Sequence, residues 1–320
     1  MAVQQGVIRI GISGWRYAGW RSVFYPKGMP QRHELRYASR LIASIELNGS
    51  FFSLQRPENY LQWHSETPPG FRFSVKGGRF ITHMKKLRDV ETATANFFAS
   101  GVLALEEKLG PFLWQLPPQF AYDEAKLQRF FELLPRTAKD AARLGEQHDA
   151  RLEGRTHLAV KKNRPLHHVV EVRHTSFLTK GFLSLLRRYG IGNVVADTAQ
   201  RWPLIEDLSG GICYVRLHGD EELYASGYSS RALRDWGKRI LHWSRGEQVR
   251  MRHCLAEKCP VQPHDVYVYF DNDAKVHAPF DAMALADILR DMGGDVAEPA
   301  GLAMDQTLSK FEPPVREVLA

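Results

Sequence analysis

The stretch "HHVVEVRHTSF", His167 to Phe177, starts as a buried β-strand and finishes on Glu171, Arg173 and His174. Strand side chains alternate between two faces. Val170 and Val172 therefore share one face, and Glu171 and Arg173 share the other. A central strand with one apolar and one charged face needs a fold that covers the first and compensates the second.

Seven further apolar runs surround this one. They are Val7–Trp15, Ser44–Phe52, Phe71–Lys76, Pro111–Pro117, Asn193–Thr198, Gly211–Gly219 and Asp265–Asp273. Helical patterns fall between most of them, at Gln31–Ile42, Thr92–Gly110, Asp123–Pro135, Ser229–Gly246 and Asp281–Gly293. Several open on Asp, Ser or Thr and close on Gly or Pro, as helix caps do. Eight strands alternating with helices predict an α/β chain folded as a TIM-type (β/α)8 barrel. An open doubly wound sheet would carry an early Gly-rich nucleotide turn, and "GISGW" (Gly11–Trp15) lacks the full spacing.

The other strands repeat the division by parity. Ile45 and Leu47 oppose Glu46, Asn48 and Ser50. Phe71, Phe73 and Val75 oppose Arg72, Ser74 and Lys76. Val194 and Ala196 oppose Val195 and Asp197, and Cys213, Val215 and Leu217 oppose Tyr214, Arg216 and His218. The apolar parity has to meet the helices, so the polar parity is expected to fill the barrel. A polar interior is unusual for this fold, and charges inside it must be paired, since each unpaired ion costs several kcal/mol or so. Glu46, Glu171 and Asp197 supply the acids; Lys76, Arg173 and Arg216 supply the bases.

Length and composition agree with one large soluble domain. The chain has 320 residues, 44% of them hydrophobic, and a formal net charge of +7. Residues 1–294 are read as a single barrel domain with an inserted charged segment at about 137–167, and 295–320 as a C-terminal tail. The N-terminus shows no secretory pattern, and no apolar run approaches the roughly 20 residues that span a bilayer. The three cysteines, Cys213, Cys254 and Cys259, point to a reducing compartment. The expected location is cytoplasmic, with no membrane partner.

The ordered motifs "GISGW", "ELNGSFF", "FRFSVK", "WQLPP", "VEVRHTSF", "YVRLHG" and "YFDND" together resemble the DUF72 (domain of unknown function 72), YecE-like family. The resemblance covers most of the chain. It implies a TIM-type barrel and no established reaction. Where that family often has paired asparagines after the last strand, this chain reads Asp271 and Asn272. The 137–167 segment and the region near Cys254 look like additions.

Active sites of such barrels form at the C-terminal strand ends. The expected catalytic residues are His218 with Asp197 or Glu171. A ligand-binding set would comprise Lys76, Arg173, Arg216, Asn48, Glu46, Trp15 and Asn272. Arginine forks grip phosphate or carboxylate, lysine adds a point charge and histidine exchanges protons near neutrality. Trp15 and Phe51 offer a stacking wall. The expected ligand is a small anion or sugar phosphate, handled by metal-independent acid/base or hydrolytic chemistry without a cofactor.

Four alternatives stand beside this reading. Glu171, His174, Asp197, His218 and Asp271 could ligate a divalent metal, as in endonuclease IV-like phosphodiesterases, but the neighbouring cations oppose it. His253, Cys254, Cys259 and His264 could hold zinc, though Cys-x4-Cys-x4-His is looser than a zinc knuckle. Nucleic acid is the alternative partner, through the clusters Lys85/Lys86/Arg88, Lys161/Lys162/Arg164 and Arg250/Arg252. A non-catalytic barrel with a structural ion-pair network is the fourth. No sequence feature indicates an oligomeric state.

Overall fold

A computed structural model describes residues 5–247, 251–256 and 262–314. Eight parallel strands close on themselves in chain order, and the first pairs with the last. They are β1 (Ile8–Ser13), β2 (Ser44–Leu47), β3 (Arg72–Lys76), β4 (Leu109–Gln115), β5 (His168–Glu171), β6 (Gly192–Asp197), β7 (Ile212–Leu217) and β8 (Asp265–Phe270). The helices described are α1 (Glu34–Leu41), α2 (Gly49–Phe52), α3 (Pro57–Glu66), α4 (Glu91–Ala99), α5 (Glu124–Leu133), α6 (Ala138–Gly145), α7 (Lys180–Arg188), α8 (Ser230–Arg245) and α9 (His277–Asp291). This is the (β/α)8 barrel that the alternation of strand and helix predicts.

Local chemistry sets the helix ends. Asp123, Thr179 and Ser229 cap α5, α7 and α8 by accepting from backbone N–H groups, and Thr137 with Asp140 forms a capping box on α6. Two expectations need correction. The run expected to continue β2 to Phe52 turns after Leu47 into α2, so Phe51 and Phe52 are helical. The single helix expected over Thr92–Gly110 is broken at Gly101, whose φ of 114° no helix accommodates, and continues as tighter 3-10 turns over Val102–Lys108. The charged segment holds only the short α6 and a 3-10 turn, Ala150–Leu152.

The segment from Asp295 onward is seated on the barrel. Ala297 N–H donates to Ile8 O at 2.8 Å, and buried Asp305 pairs with Arg36 and Arg40 of α1.

Two shells of side chains surround the sheet. Ile8, Ile10, Ile12, Ile45, Leu47, Phe73, Val75, Val170, Val172, Val215 and Val268 pack outward against the helices in one continuous core. Inside the barrel, Leu113, Val169, Val194, Ile212, Tyr214, Tyr267 and Tyr269 form a separate cluster. The interior is thus layered: an apolar and aromatic plug below, the charged residues above. Gly11 lets β1 close against β2 at the plug. A Cβ there would stand 2.2 Å from Ser44 O and 3.0 Å from Tyr269 Cε1. Gly11→Ala is therefore expected to destabilise the fold by about 3 kcal/mol, an overpacking cost with backbone on one side, readable as a lowered midpoint in urea.

Candidate functional site

The charged layer is organised by Arg216 on β7, which is fully buried. Its Nε and Nη2 donate to Glu46 Oε2 and Oε1 at 3.1 and 2.8 Å. Its Nη1 donates to Glu171 Oε2 at 2.8 Å, and Nη2 reaches Asp271 Oδ2 at 2.9 Å. Nη1 also faces His218 Nε2 at 3.3 Å. A guanidinium carries five N–H groups and accepts nothing, so Arg216 is saturated. Because Nη1 can only donate, His218 Nε2 must accept, which puts the ring proton on Nδ1, 3.1 Å from Asp271 Oδ2.

The acids are satisfied in turn. Glu46 also accepts from Ser13 Oγ at 2.7 Å and Tyr214 OH at 2.6 Å. Glu171 also accepts from Gln115 Nε2 at 2.9 Å and Arg173 Nε at 2.8 Å. Burial alone would raise the Glu171 carboxyl, but Arg173 and then Arg216 hold it well below the usual carboxylate range. Burial likewise opposes the charge on Arg216, and Glu46, Glu171 and Asp271 outweigh it and raise its pKa well above normal.

Two cations stand apart from this core. Arg173 keeps 10% of its side chain exposed and stacks its guanidinium 3.7 Å from the centre of the Trp202 ring. Its Nη2 lies 3.4 Å from Tyr224 OH. Lys76, at the end of β3, is 8% exposed. Its ammonium lies 4.4 Å from the centre of the Phe51 ring. Among the described residues no carboxylate comes within ion-pair range of it. Burial, with Arg216 second, lowers its pKa from 10.5 to about 8.

Two site residues were invisible to parity. Asp273 lies beyond β8 beside Asp271. Burial, and then the Asp271 carboxylate, pushes its carboxyl well above the usual range. Burial pushes Asp271 in the same direction, but Arg216 and then His218 prevail and hold it ionised. The pair is thus split into one acid and one base, the arrangement from which proton transfer is built. His83 comes from a single π-helical turn, Phe80–Met84. Its ring meets Phe51 edge-on at 5.0 Å, and burial, then Lys76 and Arg173, lower its pKa to about 4. Only a π turn after β3 brings His83 here, and a hydropathy pattern carries no sign of one.

Of the sequence-derived set, the structure brings together Glu46, Asn48, Lys76, Glu171, Arg173, Arg216 and His218. Asn48 Nδ2 donates to Ser13 Oγ at 2.8 Å, and its buried Oδ1 has no partner among the described residues. Three residues lie elsewhere. Asp197 pairs in register with Leu217, while Ala196 pairs with Arg216, so Asp197 faces the helices. It accepts from Tyr228 OH at 3.1 Å and is not an acid of the interior. Asn272 is buried behind the mouth, donating to Ser226 O and Asp281 Oδ2, both at 3.0 Å. Trp15 packs edge-on against Trp63 at 5.5 Å, so Phe51 alone of the expected aromatic wall faces the cations. His174 caps the 3-10 turn Thr175–Phe177 through its ring and does not join the cluster.

The remaining expectations separate in space. Lys161 and Arg164 line a cleft with Leu109, at the N-terminal end of β4, opposite the mouth. The basic clusters therefore do not converge on one rim. Cys259 and Arg250 lie outside the described residues. Among those described, one grouping has metal-ligand spacing, His64 with Glu106 and Glu107, remote from the cluster on β2, β5 and β7. No helix described is long and apolar enough to cross a membrane.

A closed parallel barrel with an ion-pair cluster at the C-terminal strand ends defines a TIM-type protein with a candidate site at the usual face. The chain belongs to the family described as Protein of unknown function DUF72, whose model matches residues 9–304. It is 26% identical over 198 residues to UPF0759 protein YecE of Escherichia coli (strain K12), covering 60% of each chain. It is 29% identical over 119 residues to UPF0759 protein YunF of Bacillus subtilis (strain 168), covering 36% of this chain and 41% of that one. The matched region thus spans about three fifths or less of these relatives' length. A crystal structure of a DUF72 family protein from Thermotoga maritima MSB8 superposes with a TM-score of 0.66 at 23% identity, over 89% of this chain and 99% of that one. One from Enterococcus faecalis V583 gives 0.64 at 17% identity, over 89% and 96%. At these identities the likeness establishes the fold.

Two outcomes test the electrostatics. Arg216→Met leaves three carboxylates without their shared counter-ion and is expected to cost about 3–5 kcal/mol in chemical denaturation. Lys76→Met should do the reverse. The lowered pKa of Lys76 means that its protonated form costs stability below about pH 8 and that the cost is relieved as pH rises towards 10.5. The variant should gain up to about 3 kcal/mol near neutrality, and the gain should shrink in melts above pH 8.

Proposed function

We propose that this chain is a metal-independent barrel enzyme that binds a small anionic ligand, such as a sugar phosphate, at its C-terminal mouth and transfers protons to and from it. Lys76 and Arg173 are the ligand-facing cations. Asp271 and Asp273 form the base and acid. His218 stands beside Asp271, with Nδ1 3.1 Å from Oδ2, and Arg216 with Glu46 and Glu171 holds the cup together. The observation that carries this reading is the unpaired Lys76 ammonium. A buried cation without a counter-ion is costly to keep, and here it opens towards the mouth beside an exposed edge of Arg173.

The inner network favours a structural role for its own members. Arg216 has no donor left for a ligand, and Glu46 is fully engaged, so neither is expected to contact one. The reading thus assigns ligand contact to the rim and scaffolding to the centre.

Thermal melts with glycerol 3-phosphate, orthophosphate and a panel of phosphorylated sugars test this. The wild type is expected to gain a saturable increase in melting temperature with at least one of them. Arg173→Gln and Lys76→Met should each weaken that binding by about tenfold or more, the scale of one charge-assisted contact. Lys161→Met, at the opposite end of the barrel, should leave it unchanged. Absence of any shift, or equal shifts in all four proteins, would remove the assignment.

A further inference from the structure

We infer that Lys76 is an amine nucleophile that condenses with the carbonyl group of a small anionic aldehyde or ketone bound at the mouth, forming an imine. This rests on the ligand site proposed above and names its substrate class.

The geometry separates Lys76 from an ordinary anion-binding lysine. The three carboxylates of the cup are engaged with Arg216, Arg173 and His218. None is left to lock Lys76 as an ammonium. The aromatic face of Phe51 lies against the Nζ and keeps water from that side. The stem is fixed from its backbone outward. Lys76 O accepts from Ser50 Oγ at 2.7 Å, and Gly77 N–H donates to Leu113 O at 2.8 Å. A Cβ at Gly77 would lie 2.3 Å from the Trp114 ring, so the turn after Lys76 is packed tight. The amine is thus held at a defined place, dry on one side and open on the other. A second cation nearby and a desolvated pocket are the two means by which proteins make a lysine nucleophilic at neutral pH, and Arg216 and the Phe51 wall supply both.

A neutral imidazole packs on the same ring. His83 meets Phe51 edge-on at 5.0 Å, and its Nδ1 lies 2.9 Å from Thr82 Oγ1. Nε2 has no partner among the described residues. Its lowered pKa keeps it neutral through the physiological range.

The step balances without an oxidant or reductant. The neutral amine's lone pair attacks the carbonyl carbon, and the C=O π pair moves to oxygen. A proton passes from nitrogen to that oxygen, giving a carbinolamine. The C–O bond then breaks, the departing hydroxyl takes a second proton from solvent at the open mouth and leaves as water, and the nitrogen lone pair forms the C=N bond. Neutral amine, carbonyl and one proton become iminium and water; that proton equals the one Lys76 releases to solvent on becoming neutral, so counted from the ammonium the charge at Nζ is unchanged.

The test uses the full chain with glyceraldehyde 3-phosphate and sodium borohydride, which reduces an imine to a stable secondary amine. Intact mass and peptide mapping locate the adduct. Near neutral pH, label on Lys76 is expected to exceed that on any other lysine by more than about tenfold, since the neutral fraction rises tenfold per unit of lowered pKa. Lys76→Arg keeps the cation and should lose that label, while the wild type's thermal shift with glycerol 3-phosphate, which has the anion and lacks the carbonyl, reads the anion site separately. Label absent from Lys76 with the glycerol 3-phosphate shift intact would overturn the imine and leave the anion site standing. Neither label nor shift would overturn both. Label spread evenly over surface lysines would also overturn the imine.

Discussion

Everything above the aromatic plug depends on one guanidinium. Arg216 sits where water cannot solvate it and is held by carboxylates from β2, β5 and the end of β8. The desolvation of such a group costs far more than a surface ion pair returns, and only complete satisfaction of its donors makes the burial tolerable. That requirement fixes Glu46, Glu171 and Asp271 in position and orientation. It also ties together strands that are not neighbours in the sheet. The barrel's usual branched apolar filling is displaced upward of Tyr214 and Tyr269, and the tyrosine hydroxyls serve as the transition, pairing with Ser74, Ser44 and Glu46.

Saturation at the centre has a consequence at the rim. A network whose members satisfy one another offers nothing to a ligand, so the groups with spare capacity become the informative ones. These are the Lys76 amine, the outer edge of Arg173, the Asn48 carbonyl and the Asp271–Asp273 pair. The loop after β7 reaches the outer edge of Arg173 through Tyr224. Its Tyr224 ring meets His218 edge-on at 5.3 Å, and its position is set from behind by Tyr228, Asp197, Asn272 and Asp281. Asp197 and Asn272 thus act on the site through loop placement and have no side chain inside the cup.

The barrel itself was legible because parity is a strong signal wherever one face is apolar and the other polar. On β2, β3, β5 and β7 that contrast is present, and the inward residues were read correctly. On β6 it fails for a physical reason. Val194, Val195 and Ala196 are all apolar, so the sequence contains nothing to say which face is inside, and the charge of Asp197 tips the reading the wrong way. Register with β7 decides it. Beyond strand ends parity loses meaning, since the chain leaves the pleat. Trp15 follows Gly14 in a left-handed conformation, and Asn272 and Asp273 follow β8 into a turn. The same limit hid Asp273 and His83. Their places come from backbone that no period of two or 3.6 describes.

The charge arithmetic of the cup bears on what a ligand must do. With Asp273 protonated, three carboxylates face Arg216, Arg173 and Lys76, so the cup is neutral only while Lys76 carries its proton. Burial and the neighbouring Arg216 favour loss of that proton, while an arriving anion favours a cation at the same place. A lysine that is only protonated meets the second demand and not the first. Imine formation meets both. The neutral amine attacks, and the iminium that results returns the positive charge to Nζ, while the rest of the network, already satisfied, has nothing to rearrange. A preorganised site of this kind meets the developing charge without reorganisation cost, which is the physical reason to expect chemistry at Lys76 and not at the better-buried Arg216.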